Sequence, residues 1–191
     1  MSSPKRRVVY DEFLKVPEWK VAEIIDGELI VNPRPATPHA YAGGAVHVDL
    51  MHAFGGPPGD PDRPGGWWIL IEPELHLADD VLVPDLAGWR RARLPVLPAA
   101  PFVPQAPDWV CEVLSPSTTR IDRTRKMRIY AREGIAHLWL IDPLARTLEV
   151  YRFDDGHWAL LVTHVDEEVV RAEPFAAIEV ALARWWLPTA P

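Results

Sequence analysis

The stretch DWVCEVLSPSTTRIDRTRKMRIYAREGIAHLWLID, residues 108–142, decides the fold. Its first part, Trp109 to Leu114, is a short apolar run with strand-forming residues, and Ser115-Pro116-Ser117 ends it. A helix is predicted from about Thr119 to Glu133, closing at Gly134, where glycine commonly ends a helix. Ile135 to Ile141 reads as a second buried strand. Strand, helix and strand in so short a span imply two parallel strands joined by a right-handed crossover.

Outward from this unit, strands and helices continue to intermix. Val8 to Val16 reads as a short helix stopped near Pro17. Lys20 to Asp26 and Glu28 to Asn32 read as a hairpin, because Asp26-Gly27 between apolar runs is a strong turn signal. Thr37-Pro38 reads as an N-cap with proline at the first helical position, opening a helix to about Phe54. Gly55 to Gly66 is an exposed loop. Trp67 to Leu77, Val81 to Val83 and Asp85 to Trp89 read as strands, with a turn at Asp79-Asp80. Pro95 to Pro107 is a rigid, extended loop. Thr147 to Phe153 and Trp158 to Thr163 add two strands, and a last helical turn is expected around Ala181 to Trp186. The fold class is mixed α/β.

Composition sets the bounds. The chain has 191 residues, enough for one domain with a substantial core. Its 48% hydrophobic and 25% charged residues suit an ordinary globular protein. A net charge of −7 argues against a polybasic nucleic-acid coat, while leaving room for a locally basic face. Proline, at 21 residues, is about twice its usual share, but the aromatic and branched residues speak against disorder. Cys111 is the single cysteine, so neither an intramolecular disulfide nor a thiolate cluster is available. Met1 to Arg7 is basic with no apolar run after it, so no secretory signal is expected. No stretch approaches the ~20 apolar residues of a membrane span. The expectation is a cytoplasmic, soluble single domain.

The chemistry centres on Glu112. A charge in a central strand needs a partner or a ligand. Side chains alternate, so Glu112 shares a face with Val110 and Leu114. A lone glutamate there invites a metal ion or a buried cation, with an arginine ion pair as the plainer alternative. Asp108 lies four residues away on the same strand, about 13 Å, too far for one metal to bridge. Asp85, in Val83-Pro84-Asp85, can converge with Glu112 from a neighbouring strand about 4.8 Å away. Taken alone, Asp85 reads more readily as a turn residue after proline.

The helix from Arg120 to Arg132 holds six basic residues and one acidic one inside an acidic protein. Lys126, one of four lysines, shares an arc with Asp122, Ile129 and Tyr130, the side expected to face the sheet. Arg125, Arg128 and Arg132 share another arc. A solvated basic helix carrying an Asp122–Lys126 pair is the plain reading. Hard oxygen ligands with an ammonium nearby describe Mg²⁺-dependent phosphodiester hydrolysis, Mn²⁺ being a possible substitute. The ammonium would orient the nucleophile or offset developing charge on phosphorus.

Several segments together resemble a known family. They are Ala22 to Leu29, Pro35 to His39, Pro84-Asp85, Glu112 to Thr118, Asp122 to Lys126, Tyr130 to Ile135 and Leu138 to Pro143, in that order. Their ordered set, from about residue 10 to 187, is similar to the bacterial Uma-two family of restriction endonuclease-like proteins, within the PD-(D/E)XK nuclease superfamily. The resemblance implies a restriction endonuclease-like core, a central mixed sheet flanked by helices. It implies Asp85 and Glu112 as the metal-binding pair and Glu23 as an accessory carboxylate. The superfamily's lysine would stand two residues after Glu112, where this chain has Leu114; the resemblance implies that Lys126 supplies it from the following helix. His39 matches the family's histidine and stands at a helix start, where anions are favoured; a local capping role is the alternative. Arg123, Arg125 and Arg128 are the expected nucleic-acid contacts.

The leading expectation is a Mg²⁺-dependent DNA endonuclease, for which a homodimer would suit double-strand cleavage. The alternative is an inactive nuclease-fold module that binds nucleic acid or a protein partner. A carbohydrate-active protein would account for nine tryptophans and paired carboxylates, but most of those tryptophans fall in predicted buried strands.

Overall fold

The computed structural model describes residues 4–17, 19–32, 35–60 and 63–188. Met1–Ser3 of the basic N-terminal stretch and Pro61-Asp62 of the first proline-rich loop lie outside the described residues. The chain begins with α1 (Pro4–Phe13), β1 (Val21–Ile25), β2 (Glu28–Asn32), α2 (Thr37–Phe54), β3 (Trp67–Ile71), β4 (Leu75–Leu77), β5 (Asp80–Leu82) and β6 (Leu86–Arg90). It continues with β7 (Trp109–Val113), α3 (Thr119–Ile121), a π-turn (Asp122–Lys126), α4 (Met127–Arg132), β8 (His137–Asp142), β9 (Thr147–Asp154) and β10 (His157–Val165). The last elements are β11 (Val169–Val170), β12 (Val180–Ala181) and a 3₁₀ turn (Leu182–Trp185).

A six-stranded mixed sheet in the order β10-β9-β8-β7-β6-β3 forms the centre. β7 and β8 run parallel, Trp109 opposite His137 through Val113 opposite Ile141, with α3, the π-turn and α4 as their connection. The quoted stretch therefore does form the predicted strand–helix–strand unit. A second sheet, β2-β1-β5-β4, contains the predicted hairpin. Its turn residues Asp26 and Gly27 both have positive φ, 53° and 74°, as a tight two-residue hairpin turn requires.

The central sheet buries both faces. Trp109, Cys111 and Val113 point to one face and pack with Ala42, Val46 and Leu50 of α2 and with Phe175 and Trp185. Val110 and Leu114 point to the other, against Ile129 and Tyr130 of α4 and Leu82 of the second sheet. Tryptophans do much of the filling: Trp89, Trp109, Trp139 and Trp185 are fully buried. The Trp109 and Trp139 rings meet edge to face at 5.2 Å, a favoured aromatic geometry. These indoles are core, which removes the basis for a carbohydrate-binding reading of them.

Several expectations needed correction. Trp67 to Leu77 is not one strand. It breaks after Ile71, where Glu72 adopts φ 45° and Pro73 has no N–H to give a ladder, and β3 and β4 enter different sheets. The expected turn at Asp79-Asp80 falls one residue earlier, with Ala78 at φ 53° and Asp80 already in β5. Ala36, not Thr37, caps α2, and no side chain bonds there. α1 starts at Pro4 and ends at Phe13, earlier at both ends than read. The short pair β11 and β12 carried no recognisable pattern.

Candidate active site

Glu112 sits near the end of β7, inside the sheet face covered by the 119–132 helix. Its charge does meet a buried cation. Lys126 Nζ lies 2.8 Å from Glu112 Oε1, 3.1 Å from Glu23 Oε1 and 3.6 Å from Asp122 Oδ1. All four side chains are buried. Glu23 comes from β1 and is anchored by the Val83 N–H, which donates to Glu23 Oε1 at 2.9 Å. Tyr130 reaches Glu112 from α4, its hydroxyl donating to the same Oε1 that faces Lys126.

The π-turn explains how one helix delivers three groups to one place. In an uninterrupted α-helix, about 100° per residue spreads positions 122, 126 and 130 over about 80°. The wider π-turn from Asp122 to Lys126 takes fewer degrees per residue, and α4 then adds rotation back. Asp122, Lys126 and Tyr130 consequently stay on one line facing the sheet, and all three are buried.

One ammonium thus faces three carboxyl groups away from water. Burial pushes the Glu112 carboxyl well up, an effect the Lys126 charge only partly opposes. Burial also raises Asp122. For Lys126 burial works downward, but Glu112 and Glu23 outweigh it and hold the ammonium well above the ordinary lysine range. Lys126 is therefore charged, and the carboxyl groups around it exceed the cations.

Asp85 immediately precedes β6 and reaches across to β7. The Val113 N–H donates to Asp85 Oδ2 at 2.7 Å, while His39 Nε2 lies 3.2 Å from Asp85 Oδ1. His39 stands in the first turn of α2. Burial disfavours its charge, but the hydrogen bond to Asp85 prevails and the imidazole pKa is raised. A cleft of about 310 Å³ opens on Glu23, His39, Asp85, Glu112, Asp122 and Lys126, with the Ser115–Thr118 turn on its wall. Among the described residues no three His, Cys, Asp or Glu side chains already stand as a metal-holding group.

The arginines lie elsewhere. Arg123 pairs with Glu149 at 2.6 Å, and Arg125 with Asp26 at 2.9 Å and Glu28 at 2.8 Å. Arg128 reaches Asp26 at 3.1 Å but its side chain stays 70% exposed. None of the three lines the cleft. The structure thus brings Glu23, Asp85, Glu112, Lys126 and His39 to one cavity and leaves the arginines on the flanking surface. Asp122, read as the Lys126 partner in the plain reading, does pair with it, and Tyr130, read only as a face-sharing residue, joins the same cluster; their spacing of four from Lys126 was the available signal. Glu72 also lines the cleft, and nothing in its local sequence marked it.

Comparison with known proteins bears on the family and the fold. No curated protein matches the chain. A crystal structure of "a putative nuclease belonging to DUF820 from Anabaena variabilis ATCC 29413" superposes with a TM-score of 0.73 at 26% sequence identity. The match covers 94% of this chain and 99% of that one. Family and neighbour together support a nuclease-like function on a restriction endonuclease-like fold. The family model Uma2, described as "Putative restriction endonuclease", matches residues 10–184, and the chain belongs to that family.

Proposed function

We propose that the protein hydrolyses phosphodiester bonds of DNA with a divalent ion, Mg²⁺ by preference and Mn²⁺ as a substitute, held by Asp85 and Glu112. The observation that carries this reading is the Lys126–Glu112 contact of 2.8 Å beside a cleft that also reaches Asp85. The donor set fits a hard ion, since its ligating atoms are carboxyl oxygens. Mg²⁺ keeps several waters and commonly uses only one or two carboxylates, which suits a pair such as Asp85 and Glu112. When bound, such an ion polarises the phosphate and lowers the pKa of a water.

The chain's own residues do the rest. Lys126, kept charged by Glu23 and Glu112, offers an ammonium to the negative charge that grows on the phosphate oxygens. Glu23, fixed by the Val83 N–H, holds that ammonium in place as the accessory carboxylate. His39 keeps one Asp85 oxygen engaged and can exchange it for a phosphate oxygen at the start of α2. Water oxygen adds to phosphorus as one P–O ester bond breaks, and the proton the water gives up ends on the departing oxygen, leaving a phosphate monoester and a hydroxyl. Arg128, largely exposed, is the foremost phosphate contact outside the cleft; Arg123 and Arg125 contribute as they loosen from their carboxylates.

Incubation of the purified chain with plasmid and single-stranded DNA, with Mg²⁺, Mn²⁺ or EDTA, tests the reading. Cleavage with either ion, lost with EDTA and in Glu112→Gln, is expected. Intact DNA under all conditions contradicts it. Asp85, whose two oxygens are both engaged, favours a second reading, a module that binds nucleic acid without cutting. Salt-dependent binding without cleavage would select it.

A further inference from the structure

We propose that Tyr130 is a positioning residue that dedicates one oxygen of Glu112 to the divalent ion; this rests on the metal-dependent reading above. Two donors, the Tyr130 hydroxyl and Lys126 Nζ, converge on Glu112 Oε1. A carboxylate held through one oxygen by two donors from one helix cannot turn freely. Glu112 lines the cleft, and with Oε1 held by these two donors the proposal assigns Oε2 to the ion. Glu23 shows the same arrangement, with Lys126 and the Val83 N–H both on its Oε1.

The residue type supports the assignment. The Tyr130 ring is fully buried in the cluster that includes Val110, Leu114 and Ile129. Phenylalanine would fill that space equally well and bury no polar atom. The hydroxyl's partner is Glu112, so the polar atom serves that carboxylate rather than the packing. Groups that orient a metal-binding side chain typically change metal affinity by about 10- to 100-fold when removed.

Calorimetric titration of the full chain with Mn²⁺ tests this without any measurement of cleavage. Wild type, Glu112→Gln, Tyr130→Phe and Tyr151→Phe are compared, each after a thermal melt. Tyr151→Phe is the control, because it also removes a hydroxyl that donates to a glutamate, Glu149, outside the cleft. The expected result is loss of binding in Glu112→Gln, about tenfold or more weaker binding in Tyr130→Phe, and wild-type binding in Tyr151→Phe. Wild-type affinity in Tyr130→Phe with binding lost in Glu112→Gln overturns the role of Tyr130 and leaves the metal reading standing. Equal weakening in Tyr130→Phe and Tyr151→Phe also overturns it, as a general softening of the fold. A wild-type chain that takes up no Mn²⁺ overturns both.

Discussion

Val113 N–H donates to Asp85 Oδ2 at 2.7 Å, so the strand residue after Glu112 holds the second carboxylate of the site. The bond reaches across from the residue before β6 to β7, and it fixes Asp85 beside Glu112 before any ligand arrives. Replacing Asp85 therefore has two separable effects. Asp85→Ala leaves the Val113 N–H without its partner and should cost about 1–3 kcal/mol of stability. Asp85→Asn keeps an acceptor and should lose less stability while still losing Mn²⁺ binding. Urea unfolding and calorimetry on both variants check the difference.

Lys126 is the cation that three buried carboxyl groups share. Lys126→Met leaves Glu23, Glu112 and Asp122 together without it, and should destabilise the fold by about 3–5 kcal/mol. Adding Glu112→Gln to Lys126→Met should recover part of the loss, because one like charge is removed. A double-mutant cycle in urea measures that coupling.

Glu149 gives the acid limb of the stability curve a local cause. The hydrogen bonds from Arg123 lower its pKa from the ordinary value near 4.5. A carboxyl lowered in the folded state contributes stability above its unfolded pKa and loses it as pH falls through the folded value. Wild type should therefore weaken below about pH 4.5, and Glu149→Gln should show a flatter curve there. Burial and Glu149 push the neighbouring Tyr151 phenol up to about 12, so it remains a donor throughout this range. Urea midpoints from pH 3 to 7 provide the check.

Arg128 is mostly exposed and outside the buried cluster. Arg128→Glu should leave the melting temperature nearly unchanged and weaken DNA binding at low salt. The slope of log affinity against log salt should fall by about one phosphate contact. Fluorescence anisotropy across a salt series reads both quantities.

The central unit and the early hairpin were legible because each signal was local: the apolar run 109–114 and the closing Gly134 for the one, the Asp26-Gly27 turn for the other. Lys126 was legible as a member of the sheet-facing arc, since spacing of four brings Asp122 and Tyr130 to the same side. The π-turn was not, because no residue type marks where a helix widens. The break after Ile71 was missed because the apolar pattern runs on to Leu77, while the φ of Glu72 is set by the two sheets it connects. Net charge pointed away from nucleic acid, yet much of the basic helix faces carboxylates: Arg123, Arg125 and Arg132 pair with Glu149, Asp26 and Asp80. Ion pairing between elements distant in sequence is invisible to composition.

Anomalous diffraction from a Mn²⁺-soaked crystal tests the central claim most directly. The account predicts one peak in the cleft, about 2.1 Å from carboxylate oxygens of both Asp85 and Glu112, with Lys126 still beside Glu112. A peak that contacts neither carboxylate, or a fully soaked crystal with no peak in the cleft, would contradict it.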